Sequence, residues 1–298
     1  MTDMRRTVLW VVFTMSLVLL WDGWNKHNGH PPMFFNTGAK PAVTAASAPI
    51  GAGSAAVPVP MAGAASTAPL AAAPIAVPPA GASVTVSSDV LKATFDAAGA
   101  SLVRLELLKH VDSNDHKRNV VLFDRGADRV YLAQTGLVGA PDLPTHLTQM
   151  QIVPGATSLA DGSDELSIRF ESPVLGGVRL IKTYTLARGS YAVAVKHEVQ
   201  NVGSAAISPQ LYQQLVRDGN APAGESSFYS TFTGPAVYTL AAKYQKVDFK
   251  SIEKGEPKLE KSADNGWVAM VQHYFVSAWL NNEVAAREFY ARKVETNC

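Results

Sequence analysis

The stretch that decides the fold class is Val178–Gln200, which reads VRLIKTYTL-ARGS-YAVAVKHEVQ. Two runs rich in β-branched and aromatic residues, Val178–Leu186 and Tyr191–Gln200, flank the tetrapeptide Ala187–Ser190. This pattern predicts a β-hairpin, because Gly189 can adopt the positive φ angle that a tight turn requires. The hairpin indicates a domain built from antiparallel strands.

Similar short runs occur on both sides of this hairpin and are separated by turn signals, whereas helical periodicity is nearly absent. The runs are Val84–Phe95, Ser101–Leu108, Val120–Phe123, Arg129–Gln134, Glu165–Phe170, Gln210–Arg217, Ala236–Leu240 and Trp267–Leu280. So many strands in one segment predict an all-β fold, a large two-sheet sandwich that occupies residues 83–298. No repeat of fixed period is present, which disfavours a propeller.

An uncharged run, Thr7–Trp21, lies close to the N-terminus and includes Trp10. A membrane span needs about 20 apolar residues. The run reaches this length if Trp21 and Trp24 lie at the far interface, where indole rings favour the headgroup level. We therefore expect residues 7–24 to form a transmembrane signal-anchor.

The charges that flank this run predict its orientation. Arg5 and Arg6 precede it and only Lys26 follows closely, which places residues 1–6 in the cytoplasm and the bulk of the chain on the exported side of the membrane. A cleaved signal peptide is the alternative, but it would end in a small-x-small site. The residues after the run, which begin with Asp22, provide a poor cleavage context.

Residues 25–82 form the second compositional zone. Between Pro41 and Ala82 there is no Asp, Glu, Lys or Arg, and Ala, Pro, Gly, Ser and Val predominate. Frequent prolines interrupt any helix, and the small side chains cannot offset the entropy cost of ordering. The alternative interpretation of this zone as a second membrane span is excluded, because no proline-free segment is long enough. We expect an Ala/Pro-rich flexible linker.

Composition excludes several functional classes. Lys and Arg total 26 against 25 Asp and Glu, so the formal net charge is +1, which argues against a nucleic-acid partner. Cys298 is the only cysteine, so no intramolecular disulfide and no cysteine-rich zinc site can form. A thiol on the last residue is also a poor nucleophile, because no following residue shapes its surroundings.

The polar residues give no convincing reactive site. Those that stand out are His110–His116, His197 with Glu198, His273, and the group Asp161, Asp164 and Glu165. The first lacks the central glycine and terminal glutamate of an EF-hand. His197 and Glu198 are neighbours on a strand and point to opposite faces, and His273 is expected on an aromatic strand as a satisfied histidine. The acidic group would need a cleft to act as a pair. The sequence predicts no catalytic residues, cofactor or metal.

Several sequence blocks carry a resemblance to a known family. They are Phe95–Leu102, Tyr131–Val138, Lys182–Val193, Val199–Asn201, Tyr229–Gly234 and, as the most specific, Gly266–Trp279, which reads GWVAMVQHYFVSAW. In this order and spacing the blocks resemble the periplasmic domain of the YidC-type membrane protein insertases. The layout of first span, low-complexity linker and large domain is similar too, so the resemblance covers nearly the whole chain.

The resemblance implies a galactose-mutarotase-like β-supersandwich in the periplasm, behind one transmembrane helix. It further implies a membrane protein insertase or chaperone component of the bacterial inner membrane, acting alone or with the Sec translocon. Its partners would be inner-membrane lipid, nascent membrane proteins and Sec components, and it would be no enzyme. Insertion in this family is attributed to a polar groove in later membrane helices, which lowers the cost of moving hydrophilic segments through hydrocarbon.

The family pattern extends beyond Cys298, so we expect this chain to be an N-terminal fragment with a C-terminally incomplete domain that lacks the insertase core. Two alternatives stay open: a carbohydrate-binding or mutarotase-like sandwich, and a plain anchored interaction module. For the last, Tyr244 and Phe249 are candidate partner contacts, although their spacing also fits an ordinary strand.

Overall fold

The computed structural model describes residues 10, 13–16, 81–126, 129–220, 231–281 and 283–294. The strands, in chain order, are β1 Ser83–Ser87, β2 Leu91–Asp96, β3 Ser101–Val111, β4 Asn119–Arg125, β5 Val130–Val138, β6 Gln151–Val153, β7 Glu165–Glu171, β8 Val178–Ala187, β9 Val193–Asn201, β10 Gln210–Arg217, β11 Gly234–Thr239, β12 Lys243–Lys246, β13 Ser262–Ala263, β14 Trp267–Gln272, β15 Phe275–Trp279 and β16 Arg287–Glu288. A short helix, α1, spans Phe249–Glu253.

Within the residues that the structure describes, the strands form four antiparallel sheets. The largest has six strands in the order β1-β2-β3-β4-β5-β10, and a four-stranded sheet has the order β6-β7-β8-β9. A second four-stranded sheet has the order β12-β11-β14-β15, and β13 pairs with β16. The predicted all-β sandwich class is confirmed.

The main core lies between the six-stranded sheet and the β6–β9 sheet. Phe95 of β2 has its ring centroid 4.4 Å from that of Tyr184 on β8 and 5.8 Å from that of Phe170 on β7. All three rings are buried, and each buried aromatic ring of this size contributes on the order of 2 kcal/mol. These contacts across the sandwich bring together segments that are far apart in the chain.

The predicted hairpin is confirmed. β8 and β9 pair in register from Val178 opposite Asn201 to Leu186 opposite Val193. Gly189 has φ +68° in the connecting turn, and open space surrounds the position of its missing Cβ. The glycine is therefore needed for backbone conformation at this turn.

Two runs that the sequence predicts as single strands are divided in the structure. Val84–Phe95 splits into β1 and β2 because the Ser88 hydroxyl accepts the backbone N–H groups of Val90 and Leu91, which forms a turn. Trp267–Leu280 is the β14–β15 hairpin, and Tyr274 has φ +69° at its turn. His273 therefore lies in a turn, which corrects the prediction that it lies on a strand.

The expected N-terminal segments lie mostly outside the described residues. Trp10 and residues 13–16 are helical and exposed, and the rings of Trp10 and Phe13 meet edge to face at 6.0 Å. Within the part of the chain that the structure describes, no helix has the length and apolar character needed to cross a membrane. Residues 25–80 of the predicted linker and the positions of Arg5, Arg6, Trp21 and Trp24 fall outside it.

Candidate functional site: a cleft and a buried basic cluster

A cleft of about 1110 Å³ lies over one face of the six-stranded sheet. Alternate residues of β5, namely Val130, Leu132, Gln134 and Val138, line it together with β10. The intervening Tyr131 and Ala133 belong to the core, so the floor is the face of β5 that points away from the sandwich. β11, β14, α1 and residues 286–294 supply the walls.

Amide side chains and one indole organise the floor of the cleft. Gln214 donates from Nε2 to Oε1 of Gln134 at 2.8 Å. Trp279 of β15 donates from Nε1 to the backbone carbonyl of Gln214 at 3.0 Å, and Asn281 donates from Nδ2 to Oε1 of Gln213 at 2.9 Å. The second four-stranded sheet is therefore attached to β10 through side chains.

The C-terminal wall is held by charged side chains. Arg287 donates from Nη1 to the carbonyl oxygen of Gly266 at 3.0 Å, and Lys293 lies 3.6 Å from the Glu253 carboxylate. Partial burial lowers the pKa of Arg292. Both charges are thus present along this wall, and most of the floor is apolar or amide.

Tyr212 of β10 connects the cleft to the protein interior. Its hydroxyl oxygen accepts the backbone N–H of His146 at 3.0 Å and lies within hydrogen-bond distance, 2.5 Å, of Nδ1 of His146. Burial raises the pKa of the Tyr212 phenol, and burial together with the charge of Lys182 lowers the pKa of His146 to about 4. Gly136 makes room for this ring, because a Cβ there would lie 2.4 Å from the Tyr212 hydroxyl.

Lys182 is the centre of a buried basic cluster on the other side of β5. Its side chain is fully buried, and Nζ donates to the carbonyl oxygens of Gly99 at 2.6 Å and Thr135 at 2.8 Å. Burial lowers its pKa to about 7. His197 lies opposite Lys182 in the β8–β9 register, with Nε2 2.9 Å from the hydroxyl of Thr135. Burial and the charge of Lys182 lower the pKa of His197 to about 4.

A strongly shifted pKa is a frequent property of reactive groups. The described lining of the cleft, however, includes neither Lys182, His197 nor His146. Lys182 and His146 are almost wholly buried, so solvent and substrate do not reach them in this conformation. The geometry therefore supports a structural role for the cluster.

The sequence-predicted contact residues lie near the cleft but apart from each other. Phe249 is the first residue of α1, half-buried, packed against the main core and part of the cleft wall. Tyr244 lies on β12, about half-exposed, with its ring 6.1 Å from that of Trp267. The two residues therefore do not share one strand, because β12 ends at Lys246.

The other polar candidates are placed as follows. His197 points inward, whereas Glu198 lies 3.6 Å from Arg169 and 3.4 Å from Lys196, so the pair does occupy opposite faces. Within the described ranges, no group of three or more His, Cys, Asp or Glu side chains is arranged to hold a metal ion.

Sequence reasoning missed Lys182, His146 and Tyr212. The inward series of β8 is Val178, Leu180, Lys182, Tyr184 and Leu186. A lysine in the middle of an apolar alternation is the one signal that could have indicated the cluster. His146 and Tyr212 carry no comparable signal.

The fold defines the class of protein as an all-β sandwich domain, which carries a cleft over one face of its six-stranded sheet. The family model of the YidC periplasmic domain matches residues 83–297, and the chain belongs to this family. It is similar to proteins named "Membrane protein insertase YidC" from Cupriavidus metallidurans (47% identity), Burkholderia cenocepacia (45%) and Bordetella pertussis (48%). These alignments cover 98–99% of this chain and 52–53% of the relatives. The chain thus spans about half the length of the curated relatives it matches.

Proposed function

We propose that this chain is the N-terminal, periplasm-facing part of a membrane protein insertase of the bacterial inner membrane. The observation that carries the proposal is the family match over residues 83–297, together with relatives named as insertases that align along nearly the whole chain. In this proposal residues 1–6 are cytoplasmic, 7–24 span the membrane, 25–82 are a flexible linker and 83–298 form the periplasmic domain.

The proposed role of the domain is to contact partners rather than to perform covalent chemistry. The cleft, with its apolar and amide floor, supports this role, because such a surface suits polypeptide groups that need both apolar and hydrogen-bonding contacts. Nascent membrane proteins and components of the Sec translocon are the proposed partners. The insertion machinery itself is proposed to lie in the half of the relatives that this chain does not match.

The single cysteine gives a direct test of the proposed topology. A membrane-impermeant maleimide is applied to cells with a permeabilised outer membrane and an intact inner membrane, and labelling of Cys298 is measured. The proposal predicts labelling from the periplasmic side. The matched control carries Cys298→Ser and Thr2→Cys, and it should be labelled only after the inner membrane is opened.

Labelling in detergent shows that each thiol is reactive in principle. A Cys298 thiol that reacts in detergent but is protected in cells would contradict the periplasmic placement. Replacement of Arg5 and Arg6 by Glu should reduce labelling of Cys298, because these two charges are proposed to set the orientation.

A further inference from the structure

The Lys182 site offers the amine two hydrogen-bond acceptors. A neutral amine has two N–H donors and an ammonium ion has three. The site offers the carbonyl oxygens of Gly99 and Thr135 as acceptors, at 2.6 and 2.8 Å. Among the salt bridges of the described residues, none involves Lys182. A protonated Lys182 would therefore be a buried charge with no counter-ion, which is costly.

The titratable groups around Lys182 do not supply a negative charge. His197 lies opposite it on β9, Tyr184 lies two residues further along β8, and His146 in the β5–β6 connection feels its charge. Tyr212 of β10 contacts His146 from the cleft side. Burial raises the pKa of both tyrosines, so they remain neutral phenols.

Asp96 of β2, the acidic residue among the buried side chains of the described ranges, binds other groups. Its carboxylate binds the Arg125 guanidinium and accepts the backbone N–H of Ala98 at 2.8 Å. The interior around Lys182 therefore combines three basic side chains with neutral partners.

The same contacts join the two sheets of the sandwich. Lys182 and His197 both belong to the β6–β9 sheet, and both reach Thr135 of the six-stranded sheet. Lys182 also holds the Gly99 turn, against which the backbone of His146 packs so closely that a Cβ on Gly99 would lie 2.2 Å from its carbonyl oxygen. Three separate segments thus meet at one amine.

We propose that Lys182 is uncharged in the folded domain, and that its hydrogen bonds join the β6–β9 sheet to β5 and to the turn at Gly99. Protonation of the basic cluster weakens the contact between the two sheets. The proposal concerns the stability of the domain and does not depend on the insertase function. It predicts that the two sheets separate more readily as the surroundings become acidic.

The direction of the pH effect follows from the lowered pKa of Lys182, about 7 against an ordinary 10.5. Between these values the unfolded chain holds a proton that the folded chain lacks, so stability rises with pH. With one proton difference between the two states, each increase of one pH unit in this range lowers the unfolding equilibrium constant about tenfold. Below pH 7 Lys182 is protonated in both the folded and the unfolded chain, so the folded domain carries the full free-energy cost of the buried charge.

The test uses the full 298-residue chain in detergent micelles, with urea unfolding followed by tryptophan fluorescence at several pH values from 7 to 10. Lys182→Met removes the titrating group, and Lys92→Met, at an exposed position on β2, is the matched control. The wild type and Lys92→Met should show the same dependence on pH. In Lys182→Met the unfolding equilibrium constant should change less steeply with pH than in both other proteins, by a factor of up to ten per pH unit. An unchanged slope in Lys182→Met would overturn the proposal.

A second measurement covers the case in which Lys182→Met does not fold. The wild-type chain with ¹³Cε-labelled lysine is titrated by NMR. One lysine resonance should titrate near pH 7 while the chain stays folded, far below the ordinary value of about 10.4. If every lysine resonance titrates near pH 10 or above, Lys182 is charged in the folded domain and the proposal is wrong.

Discussion

The indole N–H of Trp279 donates to the backbone carbonyl of Gln214 at 3.0 Å, and this bond joins an edge strand of one sheet to an edge strand of another. Gln214 belongs to β10 at the end of the six-stranded sheet, and Trp279 belongs to β15 at the end of the second four-stranded sheet. Both residues line the cleft. The bond therefore helps to fix the separation of the cleft floor from its wall.

Trp279→Phe should keep an aromatic ring in place while removing this hydrogen bond. We expect a loss of about 1 kcal/mol in the free energy of unfolding, with some added cost for the smaller ring. Urea unfolding of the full chain measures it. Tyr274→Phe, at an 85% exposed position of the same hairpin, is the control and should change stability by less than about 0.5 kcal/mol. Equal effects of the two substitutions would show that the Trp279 bond contributes nothing.

Gly99→Ala and Gly189→Ala form a matched pair. Both glycines have positive φ, +66° and +68°, so an alanine costs about 1 kcal/mol at either position. At Gly99 the new Cβ would also lie 2.2 Å from the carbonyl oxygen of His146, whereas open space surrounds Gly189. We expect Gly99→Ala to destabilise the domain by roughly 3 kcal/mol or more, since steric overpacking adds to the strain. Similar midpoints for both variants in thermal unfolding would contradict the packing described for the Gly99 turn.

Tyr212→Phe should leave the backbone N–H and Nδ1 of His146 without their partner. Because His146 is buried, we expect a loss of about 1–3 kcal/mol in the free energy of unfolding. Tyr191→Phe, at a 46% exposed position, is the control, and it should lie within about 0.5 kcal/mol of the wild type. If Tyr212→Phe is as stable as Tyr191→Phe, the hydroxyl does not anchor His146.

His146 and His197 predict a loss of stability in acid. Their folded-state pKa values are lowered to about 4 from an ordinary 6.5. Between these values the unfolded chain binds protons that the folded chain does not, so stability falls as the pH decreases from 6.5 towards 4. His197→Gln keeps a side chain that can hydrogen-bond to the hydroxyl of Thr135 in either direction, but it cannot titrate. Between pH 4 and 6.5, the unfolding equilibrium constant of this variant should therefore depend on pH less steeply than that of the wild type, by about a factor of ten per pH unit. Parallel pH curves for the two proteins would show that His197 is not buried in a neutral form.

The exposed side of β15 predicts self-association of the isolated domain. Val276 of β15 is 59% exposed, Leu280 directly after the strand is 66% exposed, and β15 ends its sheet within the described part of the chain. An apolar edge strand is a template for pairing with other chains. We expect purified residues 83–298 to aggregate in light-scattering measurements, and Val276→Lys to reduce this. A cooperative melt at high temperature without aggregation would contradict the expectation.

The sequence predicts the strands well where their signals are local. The β8–β9 hairpin follows from alternation and from Gly189, which are both contained in Val178–Gln200. The sequence does not predict the β14–β15 turn because His273 and Tyr274 are not typical turn residues, and Tyr274 adopts a positive φ that is uncommon for a residue other than glycine. Local chemistry therefore defines most elements but not every division between them.

The buried cluster is much less predictable than the strands. Lys182 bonds to Gly99, which lies 83 positions earlier, and Tyr212 bonds to His146 across 66 positions. Such contacts depend on how the sheets pack, which alternation alone does not specify. The alternation of β8 can show only that Lys182 points inward. It cannot show which carbonyl oxygens accept hydrogen bonds from its Nζ.

The most direct test of the proposed function is an insertion assay in cells depleted of their own insertase. A chimera joins this chain to the part of the Bordetella pertussis relative that it does not match, and protease accessibility reports the insertion of a membrane protein client. The chimera should restore insertion, and this chain alone should not. A chimera that accumulates in the membrane but leaves the client uninserted would contradict the proposal, and so would restoration by the 298-residue chain alone.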